Sequence, residues 1–159
     1  MNEIPVSDLS KKCWPIKVEA FWIIELRHKV LRPGLPLETA RFEGDELPST
    51  FHFALEYPVP PIETANTVCC VSFMLNPFRG ETAYQLRGMA TDPEHQKKGF
   101  GSVLLEVAES VVAKTGIQLF WCNARIVAVP FYKKHGWQVV GDVFEIKGVG
   151  QHYVMTKKL

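Results

Sequence analysis

The residues Gln96, Lys97, Lys98, Gly99, Phe100, Gly101 and Ser102 form a basic, glycine-rich run. It lies between a segment of strand character, 84–90, and a segment of helical period that begins near Gly101. The first turn of a helix presents amide N–H groups without intrahelical acceptors, at the positive end of the helix dipole. With lysines beside it and glycines that let the backbone approach, such a turn suits a diphosphate, so the chemistry implied is binding of a nucleotide-like cofactor. No Gly-x-x-x-x-Gly-Lys-Ser/Thr and no Gly-x-Gly-x-x-Gly occurs, which argues against a P-loop NTPase and a dinucleotide-binding turn.

A second set of residues points to anion recognition. Arg87 falls inside a predicted central strand between Leu86 and Gly88, where a buried guanidinium is costly unless an anion meets it. Arg125 at the end of a neighbouring strand and Arg32 at a helix C-terminus are placed to converge with it, and each can hold a carboxylate or phosphonate bidentately. The competing reading pairs these arginines with Glu25, Glu38 or Glu43, or leaves them exposed.

The elements that position these groups follow from periodicity. Strands are predicted over 16–19, 51–57, 67–75, 82–90, 117–122, 137–140, 143–146 and 152–157. Helices are predicted over 21–31, near 37–42, from about 101 to a stop at Lys114-Thr115-Gly116, and over 127–134. In the long helix Val103, Leu104, Val107, Ala108, Val111 and Val112 recur at helical period, with Glu106 and Glu109 assigned to a solvated face. The prolines of Pro58-Val59-Pro60-Pro61 cannot donate to a ladder and are assigned to a loop. The fold class is α/β, a single mixed central sheet flanked by helices, in which strands 84–90 and 117–122 are parallel and joined by the long helix in a right-handed crossover. Ligands of such units sit at the carboxyl ends of the parallel strands.

Composition sets the outer bounds. The 159 residues are 47% hydrophobic with a formal net charge of +1, which describes one domain, 1–159, with a core of its own and no electrostatic footprint for nucleic acid. No leader-like N-terminus and no membrane-length apolar run is present, so a cytoplasmic location is the expectation. The four cysteines, Cys13, Cys69, Cys70 and Cys122, lack Cys-x-x-Cys spacing and are read as buried thiols, and the five histidines lack metal-site spacing, so no metal is assigned. Trp14, Trp22, Trp121 and Trp137 are read as core aromatics, and His28 and His135 as structural residues near helix ends.

With Gln96-Lys97-Lys98-Gly99-Phe100-Gly101 and Phe131-Tyr132 before Lys134-His135-Gly136-Trp137, the chain resembles the GCN5-related N-acetyltransferase family. The resemblance implies acetyl-coenzyme A as cofactor. It places Gln96 to Ser102 around the pyrophosphate, the backbone of Met89, Ala90 and Thr91 beside the pantetheine arm, and Asn123 in the same site. A narrower likeness, to the bacterial glyphosate N-acetyltransferase group, rests on segments 26–33, 84–91, 121–125, 132–134 and 149–152. In that group the arginines matching Arg32, Arg87 and Arg125 hold the anionic groups of a small amino acid or phosphonate. The histidine matching His152 is the base and the tyrosine matching Tyr132 the acid. The chain departs from the group in its proline-rich loop, in residues 127–130 and at Gln151, where a proline is usual, so the departures bear on the acceptor more than on acetyl transfer.

An alkylammonium with a pKa near 10.4 is almost fully protonated at neutral pH, so transfer to it needs a base, for which imidazole is suited. Tyr132 would protonate the departing thiolate and a strand amide near Met89 would stabilise the oxyanion. The expectation is a direct N-acetyltransferase acting on a small acidic amine, as a monomer or homodimer, with no nucleic-acid or membrane partner. Alternatives are acetylation of a protein N-terminus or lysine, and a non-catalytic acyl-coenzyme A sensor.

Overall fold

The computed structural model describes residues 12–58 and 66–159, so most of the predicted proline loop lies outside the described residues. The chain enters through strand β1 (Trp14–Val18), a 3-10 turn at Ala20–Trp22 and helix α1 (Ile24–Leu31). A second 3-10 turn, Leu37–Ala40, leads through irregular chain to strands β2 (Phe51–Tyr57), β3 (Asn66–Leu75) and β4 (Tyr84–Thr91). After a short turn at Pro93–His95 come helix α2 (Phe100–Ala113), strand β5 (Leu119–Arg125), helix α3 (Val129–Lys134) and strands β6 (Gln138–Ile146) and β7 (Gly150–Lys158).

These strands form one seven-stranded sheet in the order β1-β2-β3-β4-β5-β7-β6. Its parallel pair is β4 with β5, as expected, and α2 makes the crossover. The strand order departs from sequence order at one place: β7 inserts between β5 and β6, antiparallel to both.

Alternation along β3 explains the two-sided core. Cys69, Val71 and Phe73 join the cluster under α2, with Phe100, Val103, Leu104 and Ala108 of that helix. Cys70 points the other way, to Ile23 and Leu26 beside Ala54 and Ala90. Each fully buried Leu, Val or Phe contributes about 1.5–3 kcal/mol, and both helices are held to the sheet in this way. All four cysteines are buried thiols, as read from their spacing.

Several local readings are corrected. The predicted helix 21–31 is interrupted at Ile23 (φ −109°, ψ −5°), and its inward face is Ile23, Ile24, Leu26 and Arg27, while Phe21 is 70% exposed. Strand β5 runs to Arg125 instead of ending at Cys122, because β7 pairs with it along its whole length. The two strands expected over 137–146 are one, with its register broken between Val140 and Phe144 around Gly141. Glu109 is buried, accepting from Trp137 Nε1 at 2.8 Å and Lys157 Nζ at 2.6 Å, whereas Glu106 is solvated as expected. Of the tryptophans only Trp137 is fully buried, and Trp14 and Trp22 are about half exposed. Among the described residues no helix is long and apolar enough to cross a membrane, and no metal-ligand cluster occurs.

Candidate active site

The parallel pairing of β4 and β5 is confined to Tyr84 with Phe120 and Gln85 with Trp121. Beyond these pairs the strands part, and a cavity of about 270 Å³ opens between them, lined by Leu86 to Met89 on one side and Asn123 to Arg125 on the other. Within β4 the register against β3 jumps from Cys70–Ala90 to Ser72–Arg87, so Gly88 and Met89 together oppose Val71. This is a bulge, and Gly88 takes the left-handed φ of +63° that it needs. Bulges bend a strand and re-aim its groups, which places the β4 backbone at the cavity.

The glycine-rich run forms the N-terminal turn of α2, with Gly99 at the cap in left-handed conformation (φ +91°) and Lys97 before it at φ +60°. A cleft of about 490 Å³ lies over this turn, lined by Thr91, His95, Gln96, Lys97, Lys98, Gly99, Phe100, Gly101, Ser102, Phe131 and Lys134. A side chain at Gly101 would stand 3.5 Å from the Phe131 ring and 3.6 Å from Met89 Cε, so its absence leaves that groove open. Among the described residues the cleft has lysines and unpaired helix amides but no carboxylate, a donor set that fits a pyrophosphate. Gln96 Nε2 donates to Thr91 O at 3.1 Å and Lys98 Nζ to Glu94 O at 2.9 Å, tying the turn to the end of β4. Asn123 lines the neighbouring cavity and not this cleft, and the Ala90 side chain is buried under α1, leaving only its backbone to serve a ligand.

The three predicted arginines converge. Arg32, Arg87 and Arg125 all line the 270 Å³ cavity, together with Phe42, Tyr132 and His152. Burial pushes the Arg32 guanidinium down from its usual value, and Arg125 and Arg27 push it further. Arg87 is lowered in the same way, by burial first and then by Arg27, with Asp45 opposing. Among the described residues none of the three forms a salt bridge, and no Asp or Glu lines the cavity. Among the described residues the pairing with Glu25, Glu38 or Glu43 offered by the competing reading does not form.

Behind this cavity lies a group that sequence reasoning missed. Arg27 lies in the predicted helix 21–31 with no role assigned to it from the sequence, and it is fully buried. Its Nη1 donates to Ala40 O and Asp45 Oδ2, both at 2.8 Å, and its Nη2 to Asp45 Oδ1 at 3.2 Å and Ser72 Oγ at 2.9 Å. Because a carbonyl only accepts, His52 Nε2 donates to Asp45 O (2.8 Å), and His52 Nδ1 then accepts from Ser72 Oγ at 2.6 Å. Asp45 also accepts from the Phe42 amide at 2.8 Å. Phe42 is thereby fixed with the guanidinium carbons of Arg27, Arg87 and Arg32 at 4.0, 4.4 and 5.4 Å from its ring centroid. The only signal in the sequence is its spacing of four and three residues from Ile23 and Ile24, which puts Arg27 on their face of the helix, and its acid partner lies 18 residues away.

His152 and Arg125 are directly opposed across β7 and β5, so their side chains share one face. His152 Nδ1 donates to Gly150 O at 2.7 Å, which leaves Nε2 with its lone pair on a ring that lines the cavity. Tyr132, on α3, also lines it, and burial holds its phenol well above the usual range, so it keeps its proton. Cys122 is buried with its thiol pushed up to about 12, which removes it as a nucleophile at neutral pH.

Residues 75–159 match the family model described as an acetyltransferase (GNAT) domain. The chain is 37% identical over 136 residues to the uncharacterized N-acetyltransferase YitI of Bacillus subtilis (strain 168), covering 85% of this chain and 89% of that protein. Among solved structures, an aminoglycoside 6'-N-acetyltransferase complexed with coenzyme A superposes with a TM-score of 0.69 at 15% identity, over 91% of this chain and 96% of that one. An acyl-CoA N-acyltransferase from Pseudomonas aeruginosa gives 0.69 at 14% identity, over 91% and 97%. At such identities the superpositions show the fold alone, and the sequence matches, with the donor-lined cleft over α2, carry the rest: the chain belongs to the GNAT acetyltransferases and is an acetyl-coenzyme A-dependent N-acyltransferase.

Proposed function

We propose that the enzyme acetylates the primary or secondary amine of a small acidic molecule, an amino acid or phosphonate, by direct transfer. The observation that carries this reading is the 270 Å³ cavity lined by Arg32, Arg87 and Arg125 with no carboxylate among its described lining residues. A polyamine, an aminoglycoside or a lysine side chain would bring further positive charge to guanidiniums that already repel one another. An acceptor with one or two anionic groups relieves that repulsion and gains charge-assisted hydrogen bonds. The likeness of segments 26–33, 84–91 and 121–125 to glyphosate N-acetyltransferases supports the same class.

Acetyl-coenzyme A, when bound, supplies an acyl thioester beside the acceptor amine. In this reading the amides of the α2 N-terminus and Lys97, Lys98 and Lys134 hold its pyrophosphate, and the backbone of Met89, Ala90 and Thr91 meets its pantetheine arm. Arg32, Arg87 and Arg125 orient the acceptor. His152 Nε2 takes the ammonium proton, and the Tyr132 hydroxyl holds a proton it can deliver into the cavity. Both groups are fixed before reaction, the first by the Gly150 carbonyl and the second by packing on Phe131 and Trp137.

Thiol release from acetyl-coenzyme A across a panel of glyphosate, aspartate, phosphono amino acids, polyamines, aminoglycosides and a lysine peptide tests the class. Turnover is expected with the acidic amines. Arg87→Ala is expected to raise the acceptor KM by about 10- to 100-fold, the loss of one charge-assisted contact of roughly 1.5–3 kcal/mol. Turnover confined to cationic acceptors would overturn the reading.

A further inference from the structure

Ser102 lines the cofactor cleft on the first turn of α2, yet its hydroxyl is engaged from behind: Oγ lies 2.9 Å from His135 Nε2, just past the end of α3. The His135 side chain is 9% exposed, and its ring packs at 4.9 Å on Phe131, which itself lines the cleft. A neutral imidazole whose Nε2 accepts from Ser102 takes the single hydroxyl hydrogen and leaves none for a ligand. A diphosphate offers only acceptors. For Ser102 to donate to it, Nε2 must change from acceptor to donor.

We propose that His135 is a positioning residue for the cofactor, taking up a proton as coenzyme A binds so that Ser102 turns its hydroxyl hydrogen from the imidazole to a phosphate oxygen. The proton comes from solvent and binds Nε2, the new N–H donates to Ser102 Oγ, and no covalent bond changes. The inference rests on the cofactor assignment and is independent of the acceptor class.

The surroundings support the exchange. In the free protein burial pushes the imidazole below its usual value, so near neutral pH it is uncharged, and a proton is taken up only when a group bound beside it stabilises the charge. The groups facing it are Glu106 and Glu109 on α2, Lys134 on α3 and Lys157 on β7. Glu109 is already held by Lys157 and Trp137, and Lys157 donates to His135 O at 2.7 Å. Glu106 remains, with Oε1 3.9 Å from Nδ1, to meet the second N–H of an imidazolium. Lys134 and Lys157 oppose the charge, so the phosphate, one hydroxyl away, is what tips the balance.

The test is calorimetric titration of coenzyme A, without acceptor, into the full chain in two buffers of different ionisation enthalpy, from pH 8.5 to 6. Wild type is compared with His135→Gln, whose amide N–H₂ keeps a donor toward Ser102 but cannot titrate. The comparison cancels the titration of the cofactor's own phosphate. Wild type is expected to take up more protons than the variant, and its affinity relative to the variant to rise by up to about tenfold per pH unit on acidification. Ser102→Ala is expected to remove the difference. NMR of the wild type supplies a second readout that needs no variant: the His135 ring, identified by its contacts to Phe131, must titrate at higher pH with coenzyme A than without. Equal proton uptake, parallel affinity profiles or an unmoved ring titration would overturn the proposal, because a neutral Nε2–H tautomer would then turn Ser102 without any proton.

Discussion

Replacing Gly88 by alanine asks whether the bulge in β4 and the buried Arg27 are one device. A Cβ at this position would lie 2.9 Å from Arg27 Nε and 3.2 Å from Phe42 Cε2, on a residue at φ +63°. The left-handed backbone costs alanine about 1 kcal/mol relative to glycine. The contact adds overpacking, and Arg27 has little room to give, because Asp45, Ala40 and Ser72 hold both of its terminal nitrogens in the interior. Overpacking of this kind costs about 1–3 kcal/mol, so the total is roughly 2–4 kcal/mol. With a urea m-value of about 2 kcal/mol/M, the unfolding midpoint falls by about 1–2 M. Gly34→Ala is the control: φ is +77° but nothing lies within 4 Å, so it bears only the backbone cost. Urea unfolding of both variants, followed by far-UV circular dichroism, isolates the contact as the difference between them. A Gly88→Ala variant no less stable than Gly34→Ala would refute the reasoning.

Asp45→Asn leaves the buried Arg27 guanidinium without its counter-charge and is expected to cost about 3–5 kcal/mol by thermal or urea unfolding, whereas exchanging both partners for apolar residues costs far less. His152→Ala is expected to lower turnover by about 10²–10⁴-fold with coenzyme A affinity unchanged, measured by thiol release and by titration of coenzyme A. Cys122, whose thiol is pushed up to about 12, stays protonated at any assay pH between 6 and 9. Cys122→Ala therefore keeps wild-type turnover within a few-fold, and iodoacetamide labels this cysteine only after denaturation, as read by mass spectrometry.

What was legible in the sequence was mostly local. The glycine-rich turn, the strand before it and the helix after it are set by neighbours a few residues apart, and they stand where expected. Arg87 was legible because a guanidinium inside a strand is anomalous wherever the strand packs. The insertion of β7 between β5 and β6 was not, since periodicity identifies strands but not their order. That insertion is what sets His152 opposite Arg125. Arg27 was overlooked and Glu109 misplaced for one shared reason: each is buried by a partner distant in sequence, Asp45 in one case and Trp137 with Lys157 in the other, and helical phase alone reads a charge as solvated.

The hydrogen bonds run from Arg27 to Ser72, from Ser72 to His52 and from His52 to Asp45, which also receives Arg27 directly; the two routes lead from one donor residue to one acceptor residue and close a ring. No member can be exchanged alone without stranding the next. The cavity wall that bears Phe42 is therefore inherited, or transplanted, as a block with its distant partners. Redesign of acceptor preference is better directed at the opposite lip, where Val127 is 87% exposed and no such circuit constrains the choice.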